Sequence, residues 1–162
     1  MKNVVHLLLC VMSVLTFTSC ENDIDLPDVD FELEISSGII VDGKIYSVVG
    51  DTLSIDAIKV INREHGKNAG IGYADYYWNT RLIGRSVCSP FGFKIVMRKN
   101  MTEQMHQLGI YAPVYAVDKD AAFAYLVYPV YVVNSAEDLP TNGAKSVKSP
   151  GEIHEMNMAP ES

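Results

Sequence analysis

From Phe31 onward the chain alternates apolar and polar residues with a period of two. Phe31, Leu33 and Ile35 alternate with Glu32, Glu34 and Ser36, which is the pattern of a strand with one buried face. Ser37-Gly38 interrupts it and Ile39-Ile40-Val41 resumes it. Asp42-Gly43 predicts a two-residue hairpin into a strand over 44–49. After a turn at Gly50-Asp51, Leu53, Ile55 and Ala57 hold one phase, then Ile58 and Val60 the other. That change of phase predicts a bulge near Ala57-Ile58. Residues 62–72 are polar, carry Gly66, Gly70 and Gly72, and read as a loop.

The stretch 73–93 holds the only tryptophan. Residues 73–79 predict a strand with Ala74, Tyr76 and Trp78 on one face. A short strand over 82–87 follows, and Pro90-Phe91 leads into another, where Phe91, Phe93, Ile95 and Met97 share a face. Residues 99–104 form a polar turn. His106, Leu108, Ile110, Ala112, Val114 and Ala116 then lie on one side of a long strand, and residues 122–133 make a second one dense in Tyr and Val. Pro113 and Pro129 cannot donate to a ladder, so each marks a bend or an edge. No amphipathic helix is legible between Phe31 and Val133. About seven to nine short strands with turns between them predict an all-β, immunoglobulin-like antiparallel β-sandwich. Trp78 is expected to anchor its core, with Phe91, Phe93 and Ile95 on or beside the opposing sheet.

The ends read differently. Lys2 precedes an apolar run of about eleven residues over 7–17, too short to span a bilayer but suited to the central region of a signal peptide. Thr18-Ser19-Cys20 follows and resembles the bacterial lipoprotein cleavage motif, which implies removal of residues 1–19 and lipidation of Cys20. Residues 20–30 are acidic, without a basic side chain, and predict an extended tether rather than a calcium loop, which needs a glycine and a distal glutamate. The domain itself spans 31–133. Residues 134–162, with Pro140, Pro150 and Pro160, read as a mostly disordered tail with a short docked segment around 153–158. Removal of the leader takes Cys10, and lipidation takes Cys20, leaving Cys88 without an internal disulfide partner. It is expected to be a small buried hydrophobe.

The net charge of −7 excludes nucleic acid as a natural partner and electrostatic adhesion to anionic lipid. The glycines of 66–72 precede a strand rather than a helix, so they do not make a phosphate loop. His65, His106 and His154 lack metal-ligand spacing, no serine sits in a nucleophile elbow, and paired glycosidase carboxylates need a larger scaffold. The expectation is a noncatalytic chain without metal or cofactor. Tyr73, Tyr77, Tyr111, Tyr115, Tyr125, Tyr128 and Tyr131 are too many for one face of one core. Some must be outside, either as cross-strand pairs or as a stripe that stacks on sugar rings or a protein; Tyr73, Tyr77, Tyr111 and Tyr115 are the candidates.

Tyr76-Tyr77-Trp78-Asn79, Leu82-Ile83-Gly84 and Ser89-Pro90-Phe91-Gly92-Phe93, with the strand from His106 to Asp118, resemble bacterial immunoglobulin-like domains. Such domains occur beside glycoside hydrolases and in surface lipoproteins of gut Bacteroidetes. The resemblance covers about 45–133, and within it His106 resembles the family's structural histidine, which implies a side chain that bonds backbone near a strand start. It implies a lipid-anchored interaction module of the outer membrane, facing the periplasm or the cell surface, with a protein or glycan partner. The alternative is a structural or adhesion subunit that docks or polymerises through an edge strand.

Overall fold

The computed structural model describes residues 24–64 and 67–156. The leader over 1–19, Cys20 and His65 lie outside the described residues. The strands are β1 (Val29–Ile35), β2 (Ile39–Val41), β3 (Lys44–Val48), β4 (Thr52–Asn62), β5 (Ala69–Ile71) and β6 (Ala74–Trp78). They continue as β7 (Arg81–Ser86), β8 (Phe93–Val96), β9 (Met105–Ala116), β10 (Ala122–Val133), β11 (Ser146–Pro150) and β12 (Glu152–Glu155). Two single-turn 3-10 segments, Lys99–Met101 and Ala136–Asp138, are the helical elements among the described residues.

A small sheet runs β11-β1-β4-β8, and a large one runs β2-β3-β10-β9-β6-β7, with β12 on β10 and β5 on β9. β1-β4-β8 faces β7-β6-β9-β10, and β3 lies parallel to β10 while the other pairs are antiparallel. The chain therefore crosses from the small sheet to the large one between β1 and β2. This is the expected all-β, immunoglobulin-like sandwich. Its strand number exceeds the expected seven to nine because short strands add to shared edges.

β9 and β10 are twelve residues each and form the spine of the large sheet. On one edge of β9, β5 pairs at Val114–Ala116 and β6 at Leu108–Tyr111. Pro113 sits at the handover, where its carbonyl accepts from Gly72. On the far edge of β10, β12 pairs as far as Tyr125 and β3 takes over at Val130. Pro129 sits in that interval. Each proline thus falls where its strand has no ladder partner on one side, the position its missing donor tolerates.

The Asp42-Gly43 hairpin forms as expected, with φ of 48° and 74° joining Val41 to its partner Lys44. The expected bulge is present: Glu34 pairs with Ala57 but Ile35 with Ile55, leaving Asp56 unpaired. The core lies between the sheets. Phe31, Leu33, Leu53 and Ile55 from the small sheet meet Tyr76, Leu108, Ile110 and Val130 from the large one, all at most 1% exposed.

Five expectations are corrected. Tyr76, not Trp78, is the buried aromatic of β6. Tyr76 is fully enclosed, stacks on Phe93 at 4.6 Å and donates its hydroxyl to the Phe91 carbonyl. Trp78 shares its face but lies one pair from the hairpin end, where it is partly buried against the core. Cys88 is exposed, because the segment leading to β8 runs over the surface. The loop over 62–72 contains β5. The segment after Val133 is not a loose tail: β11 pairs with β1 over five residues and β12 with β10 over four. Few apolar side chains are needed there, because edge backbone groups supply the bonds and Val147 and Ile153 reach the core. Gly151 joins the two strands against the Phe31 ring, where a Cβ would come within 2.3 Å. The expected tether also has contacts: Lys119 pairs with Asp25, and Asp120 accepts from the Asp25 amide.

Candidate binding face

Each sheet turns one face outward, and the two differ in kind. On β1, Asp30, Glu32 and Glu34 point away from the core, meeting Lys59 of β4 and Lys148 of β11. Lys59 bonds Glu34, and Arg63 bonds Asp28 and Asp30. The Arg63 hydrogen bond holds the Asp30 carboxyl below its ordinary range. This is the ordinary solvated face of an antiparallel sheet.

The outer face of β7-β6-β9-β10 is aromatic. The alternation that sends Tyr76, Leu108, Ile110, Ala124 and Leu126 inward sends Tyr77, Tyr111, Phe123 and Tyr125 outward. The pairing aligns Arg85, Asp75, Tyr111 and Tyr125 in one row across four strands. Tyr111 packs against Phe123 with ring centres 5.0 Å apart, and Phe123 against His154 at 5.2 Å. Gly109 lies between Tyr77 and Val127 in the ladders. The Tyr125 ring covers it, and a Cβ there would meet the Tyr125 hydroxyl at 2.6 Å. The small residue is what lets the ring lie across the sheet.

One ion pair sits in this surface. Asp75 is 5% exposed, and its two oxygens accept from Arg85 Nε and an Arg85 terminal nitrogen at 2.6 and 2.7 Å. The Arg85 guanidinium also lies over the Tyr73 ring, 4.1 Å from its centre. Burial, then the Asp75 charge, raises the Tyr77 hydroxyl; burial first, then neighbouring phenols, raises that of Tyr111. Both hydroxyls stay neutral at physiological pH, as donors and acceptors on a flat ring surface.

Of the four tyrosines singled out from sequence, Tyr115 is 49% exposed, while Tyr73, Tyr77 and Tyr111 are half-buried in this face. All four are on it. Sequence reasoning did not single out Arg85, Phe123 or Tyr125 as members, nor Tyr46 and Tyr131, which stack at 5.3 Å further along it. The signal available was the alternation phase of 122–133, but both phases of that strand are apolar. Beside the Tyr46–Tyr131 stack opens a groove of about 410 Å³, with Glu103, Gln104, Met105 and Asn134 in its walls. Tyr128 points inward and bonds Ser149 at 2.8 Å.

His106 is buried at the start of β9 under the Trp78 ring. Its Nε2 lies 3.1 Å from the Met101 carbonyl and Nδ1 faces the Asn79 amide at 3.4 Å. Since a carbonyl only accepts, Nε2 carries the proton. This is the structural role expected of it. Among the described residues no three His, Cys, Asp or Glu side chains gather as metal ligands.

No protein-family model matches the chain, and no curated protein matches it. Among solved structures it is similar to one described as fibronectin(III)-like modules of Clostridium thermocellum CbhA. That similarity has a TM-score of 0.41 at 14% identity and covers 75% of this chain and 53% of that one. The chain thus spans about half the length of the structure it resembles.

Proposed function

We propose that the protein is a noncatalytic binding module of the bacterial envelope, anchored by a lipid on Cys20, whose large-sheet outer face captures a glycan. The observation that carries this reading is the contrast between the two outer faces. One is covered by paired charges; the other presents phenol rings from three strands around one internally neutralised ion pair. Flat aromatic surface stacks on the apolar faces of sugar rings, and neutral phenols together with Glu103, Gln104 and Asn134 can bond their hydroxyls. The domain's accessory role would be in a surface glycan-capture complex.

The test is a glycan array probed with the protein, followed by titration of any hit. Tyr115→Ala with Tyr125→Ala should weaken a true ligand at least about tenfold, with the melting temperature nearly unchanged, because exposed aromatics contribute contact area rather than core. An array without hits, or a hit indifferent to both variants, removes the glycan. The anchor has its own test: Cys20→Ala should move the protein from the membrane to the soluble fraction. Unchanged detergent partitioning of that variant would remove the lipid.

A further inference from the structure

The sandwich is open along one side. β7 ends the large sheet and β8 ends the small one, and residues 87–92 cross directly between them. Among the described residues no strand pairs with the outer edge of either. A strand bonded on one side leaves alternate N–H and C=O groups unpaired on the other. Between the two edges lies an open groove of about 570 Å³. Its apolar walls include Trp78, Leu82, Phe93 and Val96, the last 55% exposed.

The charges around it have one sign. Arg81, Lys94 and Arg98 line the groove, and no Asp or Glu does. None of the three is in an ion pair among the described residues, whereas Lys59, Arg63, Arg85 and Lys119 each have a carboxylate partner. On a chain with net charge −7, a cationic groove without internal counterions is a local inversion of the field.

We infer that this open edge docks an extended, acidic segment of a partner polypeptide, which adds a strand beyond β8. The unpaired strand edge favours a polypeptide over an anionic sugar, since only a peptide backbone completes a ladder. β8 alternates Phe93 and Ile95, turned toward the core side, with Lys94 and Val96, turned outward. An added strand follows the same alternation. Its inward side chains meet Phe93 and Trp78, and its outward ones meet Lys94. The matching sequence therefore alternates apolar and acidic residues over about the four to six residues that β8 and β7 offer. The surface is separate from the tyrosine groups of the proposed glycan face, so either proposal can fail alone.

Trp78, the only tryptophan, lines the groove and reports on it. The protein expressed from the full sequence is titrated with a ten-residue peptide alternating Glu and Val. The controls are a Lys–Val peptide and polygalacturonate. The Glu–Val peptide should change Trp78 fluorescence, bind more weakly as salt rises and slow amide exchange across 93–96. Arg81→Glu with Lys94→Glu and Arg98→Glu should weaken it at least about tenfold. These side chains are exposed, so the fold should persist; circular dichroism and melting check it. No response to the Glu–Val peptide overturns the proposal, as does equal binding of the Lys–Val peptide. Binding of polygalacturonate with unchanged exchange at β8 would reassign the groove to an anionic glycan. If the triple variant aggregates yet its soluble fraction binds the peptide normally, the basic residues only guard the edge against self-pairing, and the proposal falls.

Discussion

The two outer faces belong to one sandwich, share one core and meet the same solvent, yet they solve exposure differently. Lys59–Glu34 and Arg63–Asp30 cover the small sheet with pairs that reach water. On the large sheet, the Arg85–Asp75 pair has its carboxylate sunk among phenol rings. The charged face shows that solubility and folding here do not require aromatics outside. The aromatic face is an addition to what the fold needs, and it must be cheap to remove if that reading is right.

The largest contrast lies across the large sheet itself. Tyr76→Ala removes a fully enclosed ring and should cost about 3–5 kcal/mol, enough to unfold a marginal domain. Tyr77→Ala, its neighbour on the outer face, should cost about 1 kcal/mol or less, the worth of a cross-strand pair. Denaturant midpoints of the two variants measure this. Comparable losses would make the outer face part of the structural core and weaken the case for a binding surface.

Next in size is a comparison of the two faces through their ion pairs. Arg85→Ala leaves the Asp75 carboxylate buried without its partner and should clearly lower the melting temperature. Lys59→Ala breaks an exposed pair and should leave the melting temperature nearly unchanged. If both variants melt alike, Asp75 is better hydrated than its 5% exposure implies, and the aromatic face is wetter than drawn.

Much of this fold was legible because side-chain alternation was clean where one face is solvated. Phe31-Glu32-Leu33-Glu34-Ile35 shows its burial at once, and the Ala57-Ile58 phase change marked the bulge. Legibility failed where both faces are apolar. In 122–133 Tyr and Val occupy both phases, and the rest are apolar on either side, so the sequence could not say that Tyr125 faces out and Tyr128 in. Trp78 was misplaced for a different reason: alternation fixes the face of a side chain but not how near it lies to the end of the sheet. β11 was missed, and β12 was foreseen only as a short docked segment around 153–158, because both are held by the edges of β1 and β10, a long-range bond that their own composition does not announce. The open groove was invisible for the same cause, since it exists only because β7 and β8 end different sheets.

The smallest expected effects come from pH, and they separate the faces from opposite ends. Asp30 has its folded pKa lowered, chiefly by the Arg63 hydrogen bond. A lowered carboxylate contributes stability above its unfolded value near 4, and loses it as pH falls through the folded value. Acid should therefore weaken the charged face, and Arg63→Ala should flatten that limb. Tyr77 and Tyr111 have raised folded values, burial being the first cause. A raised group contributes stability fully below its unfolded value, near 10 for tyrosine, and loses it as pH rises through the folded value. Lys59, raised by Glu34, fades in the same alkaline range, so the stability curve alone does not assign that limb. Tyrosinate absorbance does. In the folded protein Tyr77 and Tyr111 should ionise above the ordinary range, and Tyr77→Phe with Tyr111→Phe should shrink the delayed absorbance to the part held by the buried, inward-facing Tyr76 and Tyr128, while leaving the acid limb unchanged. If the double variant leaves the delayed absorbance unchanged, Tyr77 and Tyr111 lie in water rather than against their neighbours, and the aromatic face loses the dry, neutral character on which ring stacking depends.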